Sequence, residues 1–189
     1  MDEDIRITKN KRSIESALLQ LLKEKPFAKI TVHDICQLAL VSRSTFYAHY
    51  VDKYELLEHI VNHYFVLLET LIAKKFLSNN PIDLDAIFLQ LSQTYIQHRE
   101  ALSILMQVHD PGYDLREKIA QTLFSYCMDY LSTTAHSYAL PNELIARLYV
   151  TNIITIINWT LAHGIDDTTT ERLKALQSMF FHFAKNGVL

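Results

Sequence analysis

The stretch from Ile30 to Ile60, ITVHDICQLALVSRSTFYAHYVDKYELLEHI, constrains the fold of this chain more than any other part. It predicts two short helices joined by a tight turn, with a third helix starting at once. Thr31 stands three residues before Asp34, a spacing at which a hydroxyl and a carboxylate cap the start of a helix. The apolar residues that follow recur at helical spacing, so we expect the first short helix to bury one face.

The second short helix is predicted over residues 43–50, with Ser42 as its N-cap. Phe46 and Tyr50 are four residues apart and should point inward together. This arrangement leaves the polar side chains on the open face: Arg43, Ser44, Thr45, Tyr47 and His49. Small polar and basic side chains on an exposed helix are typical of a helix that enters the DNA major groove.

Lys53 lies in the first turn of the third helix, which Asp52 is expected to cap. A cation at that end opposes the helix dipole and therefore needs a partner of its own. We predict that this partner is a phosphate group.

The run T-V-x-D-I-x-x-x-A-x-V-S-R-S-T-F-Y-x-H-Y-x-x-K-x-x-L-L resembles the helix-turn-helix of the TetR family of bacterial transcription regulators. The resemblance covers roughly residues 11–60, and its fixed spacing over many positions makes it far more specific than a short motif. One position departs from the family pattern. The family commonly carries glycine at the turn, where a positive φ is favoured, and this chain has Leu40.

The resemblance implies a role for each matching residue. It assigns contacts with DNA phosphates to Thr31, Ser42, Tyr47, His49 and Lys53. It assigns contacts with base edges to Arg43, Ser44 and Thr45, and a small core to Val41, Phe46 and Tyr50. The implied partner is a double-stranded operator, and the two-fold symmetry of helix-turn-helix dimers favours a palindromic one.

Charge is distributed unevenly along the 189 residues. The net charge of −3 is unusual for a protein that binds DNA. Residues 9–53, however, hold eight basic and four acidic side chains, whereas residues 54–189 hold nine basic and fourteen acidic ones. A basic amino-terminal module on an acidic body would direct one end of the molecule toward a polyanion.

Composition also bounds where the protein works. No uninterrupted apolar run reaches the ~18 residues that cross a bilayer, and the amino terminus lacks the apolar core of a signal peptide. Cys36 and Cys127 are far apart and have no metal-type spacing, so we expect two reduced thiols. These features predict a cytoplasmic protein that has no membrane association.

Glycine and proline are scarce and no alternating pattern predicts strands, so the sequence indicates an all-α fold of about nine helices. The expected helices are 11–24, a short helix capped by Thr31, 43–50, 53–77, 82–98, 100–108, 114–138, 142–163 and 168–185. We predict a DNA-binding domain over residues 1–52. Residues 53–189 are expected to form a connector helix and a helical body for effector binding and dimerisation.

The last two predicted helices are apolar on more than one face, so they should be buried on more than one side. One side is the core of the body, and the other is either a larger core or a second copy of the chain. The candidates for a homodimer interface are Leu148, Ile153, Ile157, Leu176, Phe180 and Phe183. The family resemblance favours the dimer, because TetR-like proteins pair through their last two helices.

Polar side chains within the apolar helices of the body are candidates for an effector pocket, since such pockets are apolar with a few convergent polar groups. Together with one apolar residue, Met106, they are Tyr95, His98, Tyr126, Tyr130, Asn152 and Trp159. Each of them could equally be ordinary core with its polar tip at the edge.

We therefore predict a dimeric DNA-binding regulator, most simply a repressor that a small molecule releases from its operator. The alternative is a TetR-like activator or co-regulator that acts through a protein partner. Histidine spacing shows no metal site, and neither a nucleophile elbow nor a phosphate-binding loop is present, so neither an enzyme nor a cofactor is expected.

Overall fold

The computed structural model describes residues 2–77, 84–133, 140–164 and 166–186. Within these ranges the chain forms eight α-helices and one short 3₁₀ turn, and it contains no strand, which confirms the all-α prediction. The helices are α1 (Asp2–Glu24), α2 (Val32–Ala39), α3 (Arg43–Tyr47), α4 (Lys53–Leu77), α5 (Leu84–Leu105), α6 (Leu115–Thr133), α7 (Asn142–His163) and α8 (Asp167–Asn186). The 3₁₀ turn, Phe27–Lys29, precedes α2.

Several helices differ in their bounds from the sequence prediction. Helix α1 begins at Asp2, well before residue 11, and α3 ends at Tyr47 rather than at residue 50. The separate helix predicted over residues 100–108 does not form, because α5 continues without a break to Leu105. The polar residues near position 99 suggested a helix end, although they lie on a continuous helix.

Helix α8 begins at Asp167, one residue before its predicted start at residue 168. Asp166 caps the helix: its carboxylate accepts the backbone N–H of Thr169 at 2.6 Å, and its carbonyl accepts the N–H of Thr170 at 2.9 Å. The same bond from Thr169 holds the pKa of the Asp166 carboxyl below its usual value.

The chain divides into two compact units. The first comprises Met1–Phe65 together with Ile104–Leu115, and the second comprises Val66–Ser103 together with Arg116–Leu189. The division falls inside α4, so it does not coincide with the predicted domain boundary at residue 52. That boundary, between a DNA-binding domain and the rest of the chain, stays a prediction. We call the two units the head and the body.

The head is built on a continuous apolar core. Its most deeply buried side chains come from α1, the end of the 3₁₀ turn, α2, α3 and the first half of α4: Ile14, Leu18, Ile30, Ile35, Phe46, Leu56, Leu57 and Val61. The distant segment Ile104–Leu115 adds Leu105 and Leu115, which are also fully buried. The ring of Tyr113 lies 5.7 Å from that of Tyr54, at the start of α4.

The body has its own core, formed mainly by α6 and α7. Its buried side chains include Ile119, Leu123, Cys127, Leu131, Ile145, Tyr149, Ile154 and Leu161. Arg99 of α5 donates two hydrogen bonds of 3.1 Å to the carbonyls of Leu161 and Ala162, so its guanidinium satisfies the free carbonyls at the end of α7. Cys36 and Cys127 are both buried free thiols.

Two helical segments, Lys53–Ala73 and Asn142–His163, are long and apolar enough to cross a bilayer by length and composition alone. Core helices of water-soluble proteins meet the same criterion. The first half of α4 buries Leu56, Leu57, Ile60 and Val61 in the head, which accounts for its apolar character without a membrane.

Candidate nucleic-acid interface

The predicted cap of α2 is present. The hydroxyl of Thr31 accepts the backbone N–H of Asp34 at 3.2 Å, and the carboxylate of Asp34 accepts the N–H of Thr31 at 2.9 Å. The Nζ of Lys25 also donates to Asp34 at 2.8 Å, and this bond is the main reason that the pKa of the Asp34 carboxyl lies well below its usual value. In its bond with the Asp34 N–H, the exposed Thr31 hydroxyl acts only as the acceptor. This bond does not use the hydroxyl proton.

The turn between α2 and α3 adopts the conformation that normally selects glycine. Leu40 has φ 55° and ψ 41°, the left-handed region, and its N–H closes the end of α2 on the carbonyls of Cys36 and Gln37. Its side chain is 92% exposed. The family's turn geometry is therefore kept even though the chain departs from the family at this residue.

Helix α3 starts with the predicted Ser42 cap and a cluster of hydroxyl groups. The Oγ of Ser42 accepts the N–H of Thr45 at 3.0 Å, and it lies 2.8 Å from both the Oγ of Ser44 and the Oγ1 of Thr45. Arg43 and Ser44 are exposed, while Thr45 is half-buried. The cluster fixes the first turn of α3 and leaves the Arg43 side chain at its open edge.

Two aromatic side chains support α3 from behind, as predicted. Phe46 is completely buried, and Tyr50 is nearly so, whereas Val41 is only half-buried. The hydroxyl of Tyr50 donates to the Glu15 carboxylate of α1 at 2.9 Å, which ties the end of α3 to the head core. Burial, together with this bond, raises the pKa of the Tyr50 phenol.

The remaining predicted phosphate contacts flank this support. Tyr47 is 57% exposed, with its ring edge against Phe46 at a centroid distance of 5.5 Å, and His49 is half-buried beside the ring of Tyr50. Together with Thr31, Ser42, Arg43 and Ser44, they form the surface that we call the recognition face. The contacts of this face with DNA stay predictions.

Lys53 bonds to backbone carbonyls, which the sequence did not predict. Its Nζ donates to the carbonyls of Phe27 at 2.9 Å and Ile30 at 2.8 Å, with a longer bond of 3.3 Å to Ala28. The same cation lies 4.6 Å from the ring centroid of Phe27. The structure thus explains a lysine at the start of α4 without a phosphate: the cation caps the 3₁₀ turn that leads into α2.

The start of α4 is capped by Asp52, as predicted. Its carboxylate accepts the backbone N–H groups of Tyr54 at 2.8 Å and Glu55 at 2.9 Å, while the Glu55 carboxylate accepts the N–H of Val51. The ring of Tyr54 packs edge-on against Phe27 at 5.2 Å and also meets Tyr113. No local sequence pattern predicts this contact of Tyr113, because Tyr54 is 59 positions away in the chain.

The effector-pocket candidates are not gathered in one unit. Met106 is buried in the head, whereas His98, Tyr126, Tyr130, Asn152 and Trp159 belong to the body. Asn152 accepts a 3.0 Å bond from Gln177, whose side chain is buried, so this pair joins α7 to α8. The side chain of Tyr95 lies outside the described part of the chain.

Trp159 does not sit in a buried position. It is 45% exposed on α7, and its ring stacks on His163 at a centroid distance of 4.9 Å. An indole with nearly half its area open to solvent is better suited to an intermolecular surface than to the wall of an enclosed cavity. The place of Trp159 in an effector pocket stays a prediction.

The dimer candidates divide by exposure. Leu148 is 48% exposed and Leu176 is 43% exposed, whereas Ile153 and Ile157 are half-buried within the body. The side chains of Phe180 and Phe183 are outside the described residues. Two residues that were not among the predicted candidates, Leu144 and Met179, are also large, apolar and exposed.

Among described residues, no three of His, Cys, Asp and Glu form a group that could hold a metal ion.

Part of the head is similar to a known protein family. The family model for bacterial regulatory proteins of the tetR family matches residues 14–60, which run from α1 to the first half of α4. An uncharacterized HTH-type transcriptional regulator, YxbF of Bacillus subtilis (strain 168), is 37% identical over 59 residues. The aligned region is 31% of this chain and 16% of the length of YxbF.

Solved structures resemble the chain over nearly its whole length. A TetR transcriptional regulator from Streptococcus agalactiae 2603V is 23% identical, with a TM-score of 0.62 over 98% of this chain and 99% of the other. NalD, the secondary repressor of the MexAB-OprM multidrug efflux pump in Pseudomonas aeruginosa, is 19% identical. Its TM-score is 0.69, over 95% of this chain and 98% of NalD. At these identities the likeness shows the fold.

The matched segment contains the recognition face, the turn at Leu40 and the capped start of α4. The fold of the complete chain agrees with that of TetR-type regulators. Residues 14–60 thus match the tetR family of bacterial regulatory proteins, and the chain as a whole is similar in fold to solved TetR-type regulators.

Proposed function

We propose that the protein is a homodimeric repressor that binds a palindromic operator through α3 and is released by a small-molecule effector. The observation that carries the proposal is the recognition face, where exposed Arg43 and Ser44 stand on a five-residue helix fixed by Ser42 and by buried Phe46. A guanidinium in this position suits bidentate contact with guanine in the major groove.

The local surroundings of α3 support a role in binding DNA. Among the described residues, no carboxylate forms an ion pair with Arg43, and the first turn of α3 presents hydroxyl groups that suit phosphate oxygens. Residues 9–53 carry an excess of positive charge, which would steer the acidic protein toward DNA with this end first.

Dimerisation is supported by an exposed apolar stripe on α7. Leu144, Leu148 and Trp159 lie at helical spacing on one face, together with Thr151 and Thr155. The two threonine hydroxyls bond back to carbonyls of their own helix at 2.9 Å and 2.8 Å, so their methyl groups complete the stripe. A helix apolar on its outer face is suited to pack against a second copy. Two heads also supply the affinity that a single helix-turn-helix lacks.

Effector release would act by population shift: a ligand with higher affinity for a non-binding arrangement of the two heads would weaken operator binding. Head and body share α4, and the head also contains Ile104–Leu115 from the middle of the chain. The two units are therefore linked covalently at three places, through which a change in the body could reach the head.

The decisive experiment is selection of bound fragments from a fragmented bacterial genome by the purified full-length protein, followed by sequencing. The proposal expects enrichment of one palindromic site, half-sites about one helical turn apart or a multiple of it, and higher expression of the adjacent genes when the regulator is deleted. Lower expression after deletion would indicate an activator instead. Fragments enriched without a shared sequence would overturn the proposal.

A cytoplasmic location belongs to the same proposal, since a regulator that acts on an operator works where the chromosome is. Fractionation of cells that express the tagged full-length chain should recover it with the soluble proteins. Recovery with the membranes would contradict this part of the proposal.

A further inference from the structure

A groove of about 720 Å³ lies in the head, between α1 and the carboxyl-terminal end of α2. Its α1 side extends from Ile5 to Gln20, and its other side consists of Leu38, Ala39 and Leu40. None of the DNA contacts predicted from the sequence is among the residues that line it. The groove is therefore a surface that the recognition face does not account for.

The lining has the donor chemistry of a phosphate site. Of the eleven lining residues, six carry a cation, a hydroxyl or an amide, and none carries a carboxylate. Lys9 and Arg12 are the cations, and both side chains are exposed. Ammonium, guanidinium, hydroxyl and amide groups are the side-chain donors that proteins direct to the oxygens of a nucleic-acid backbone.

The groove also lies next to the helix proposed to enter DNA. Leu40, on its wall, is only two residues before Ser42, the N-cap of α3. Because successive Cα atoms are about 3.8 Å apart, the groove begins within about 8 Å of α3. The major groove is about 12 Å wide, so a strand of backbone bordering it must pass close to this wall when α3 is inserted.

Leu40 supplies an independent observation at the same wall. It is a bulky residue in the left-handed region, and it leaves nearly all of its side chain in solvent. Both features are unfavourable in the isolated head, and backbone strain of this kind tends to occur where a ligand is held. The exposed Leu40 would contact an apolar surface only when a partner is bound.

From these observations we propose that the groove is a second DNA-contact site, which holds the sugar–phosphate backbone flanking the half-site read by α3. Lys9 and Arg12 contact phosphates, and Leu40 packs against a deoxyribose. The inference rests on the proposed function and extends the DNA footprint beyond α3. The exposed leucines would also suit a helix of another protein, but two cations without a carboxylate favour a polyanion.

The test uses the full-length protein, the selected operator with ten flanking base pairs on each side, and fluorescence anisotropy at several salt concentrations. The double variant Lys9→Ala/Arg12→Ala should reduce the slope of log affinity against log salt by about two, because each lost phosphate contact removes about 0.9. Arg12→Gln alone should reduce it by about one. Base preference should be unchanged, since phosphate contacts do not read sequence.

The matched control is Arg116→Ala/Arg172→Ala, which removes the same charge from two exposed side chains of the body. It should retain the slope of the unaltered protein, and thermal melting should show that all variants fold. A second arm trims the flanking base pairs from the duplex. The unaltered protein should then lose affinity for the operator. The double variant should lose little affinity beyond what its two substitutions have already removed.

The outcomes separate this inference from the function on which it rests. If the unaltered protein selects no sequence, the proposed function fails. If it selects an operator but the double variant keeps the full salt slope and the full response to trimming, the groove does not contact DNA. A specific protein partner that the double variant no longer binds would then explain the surface and would overturn the inference.

Discussion

The two exposed surfaces described above, the recognition face of α3 and the apolar stripe of α7, differ in how they are built. The recognition face is short and polar, and it is fixed by caps, a hydroxyl cluster and two aromatic rings behind it. The stripe is long and apolar, and its two threonine hydroxyls are turned back to their own helix. The exposed groups of the two helices differ accordingly: those of α3 suit a polyanion, and those of α7 suit a second apolar surface.

The largest expected effect tests the stripe. Leu148→Glu places a charge on an exposed side chain, so it should leave the fold intact while it weakens a dimer by at least about a hundredfold, because an unpaired charge would be buried at the interface. Sedimentation equilibrium or light scattering measures the change. Ser125→Glu, at an exposed position of α6, is the control and should leave the oligomeric state unchanged. A Leu148→Glu dimer of normal stability would place the interface elsewhere.

The recognition face is tested by Arg43→Ala. Loss of the guanidinium should weaken operator binding by about 1–3 kcal/mol and relax the preference at one base pair. Binding to every single-base variant of the operator, measured in competition, shows both effects. Arg43→Lys keeps the charge without the bidentate fork, so it should recover part of the affinity but little of the preference. An unchanged preference after Arg43→Ala would assign base reading to other residues.

Lys53 tests how the recognition face is supported. Its ammonium bonds to carbonyls of the 3₁₀ turn, so Lys53→Ala should lower the free energy of unfolding by about 2 kcal/mol. Urea denaturation measures this loss, and Lys29→Ala, at an exposed lysine of the same turn, is the control. If stability is normal and the salt dependence of operator binding falls by about one, the result would instead support the phosphate contact that the sequence predicted.

The smallest effect concerns the turn beside the recognition face. Leu40→Asn should raise the free energy of unfolding by about 0.5–1 kcal/mol, because asparagine adopts the left-handed region with less strain and the leucine side chain is not buried. Urea denaturation is again the measurement, with Leu38→Asn in the adjoining helix as a comparison. A destabilised Leu40→Asn protein would mean that Leu40 makes contacts of its own within the head.

The sequence predicted the head in more detail than the body, and the reason is physical. The caps at Thr31, Ser42 and Asp52 act over three residues of chain, so their spacing is visible in the sequence. The bonds from Lys53 to carbonyls 23 to 26 residues away, and the contact of Tyr113 with Tyr54, depend on the folded chain. No local sequence pattern predicts contacts of this kind.

The body shows the same limit more strongly. Helix α7 was predicted over residues 142–163, which are its observed bounds, because proline and glycine mark its ends. Which face of that helix is buried depends on how it packs against its neighbours, and its apolar residues surround the axis. The sequence therefore could not separate exposed Leu148 from half-buried Ile157, or predict that Trp159 is nearly half exposed.

The core of the head is completed by a segment that comes much later in the chain. Leu105 and Leu115 are fully buried in the head, although they come some 40 to 50 positions after its first segment ends at Phe65. During synthesis, the amino-terminal segment therefore leaves the ribosome before the residues that cover part of its core. A nascent chain that stalled before residue 115 would have an incomplete head core, so the proposed recognition of an operator would begin only after the first segment of the body, Val66–Ser103, had been made.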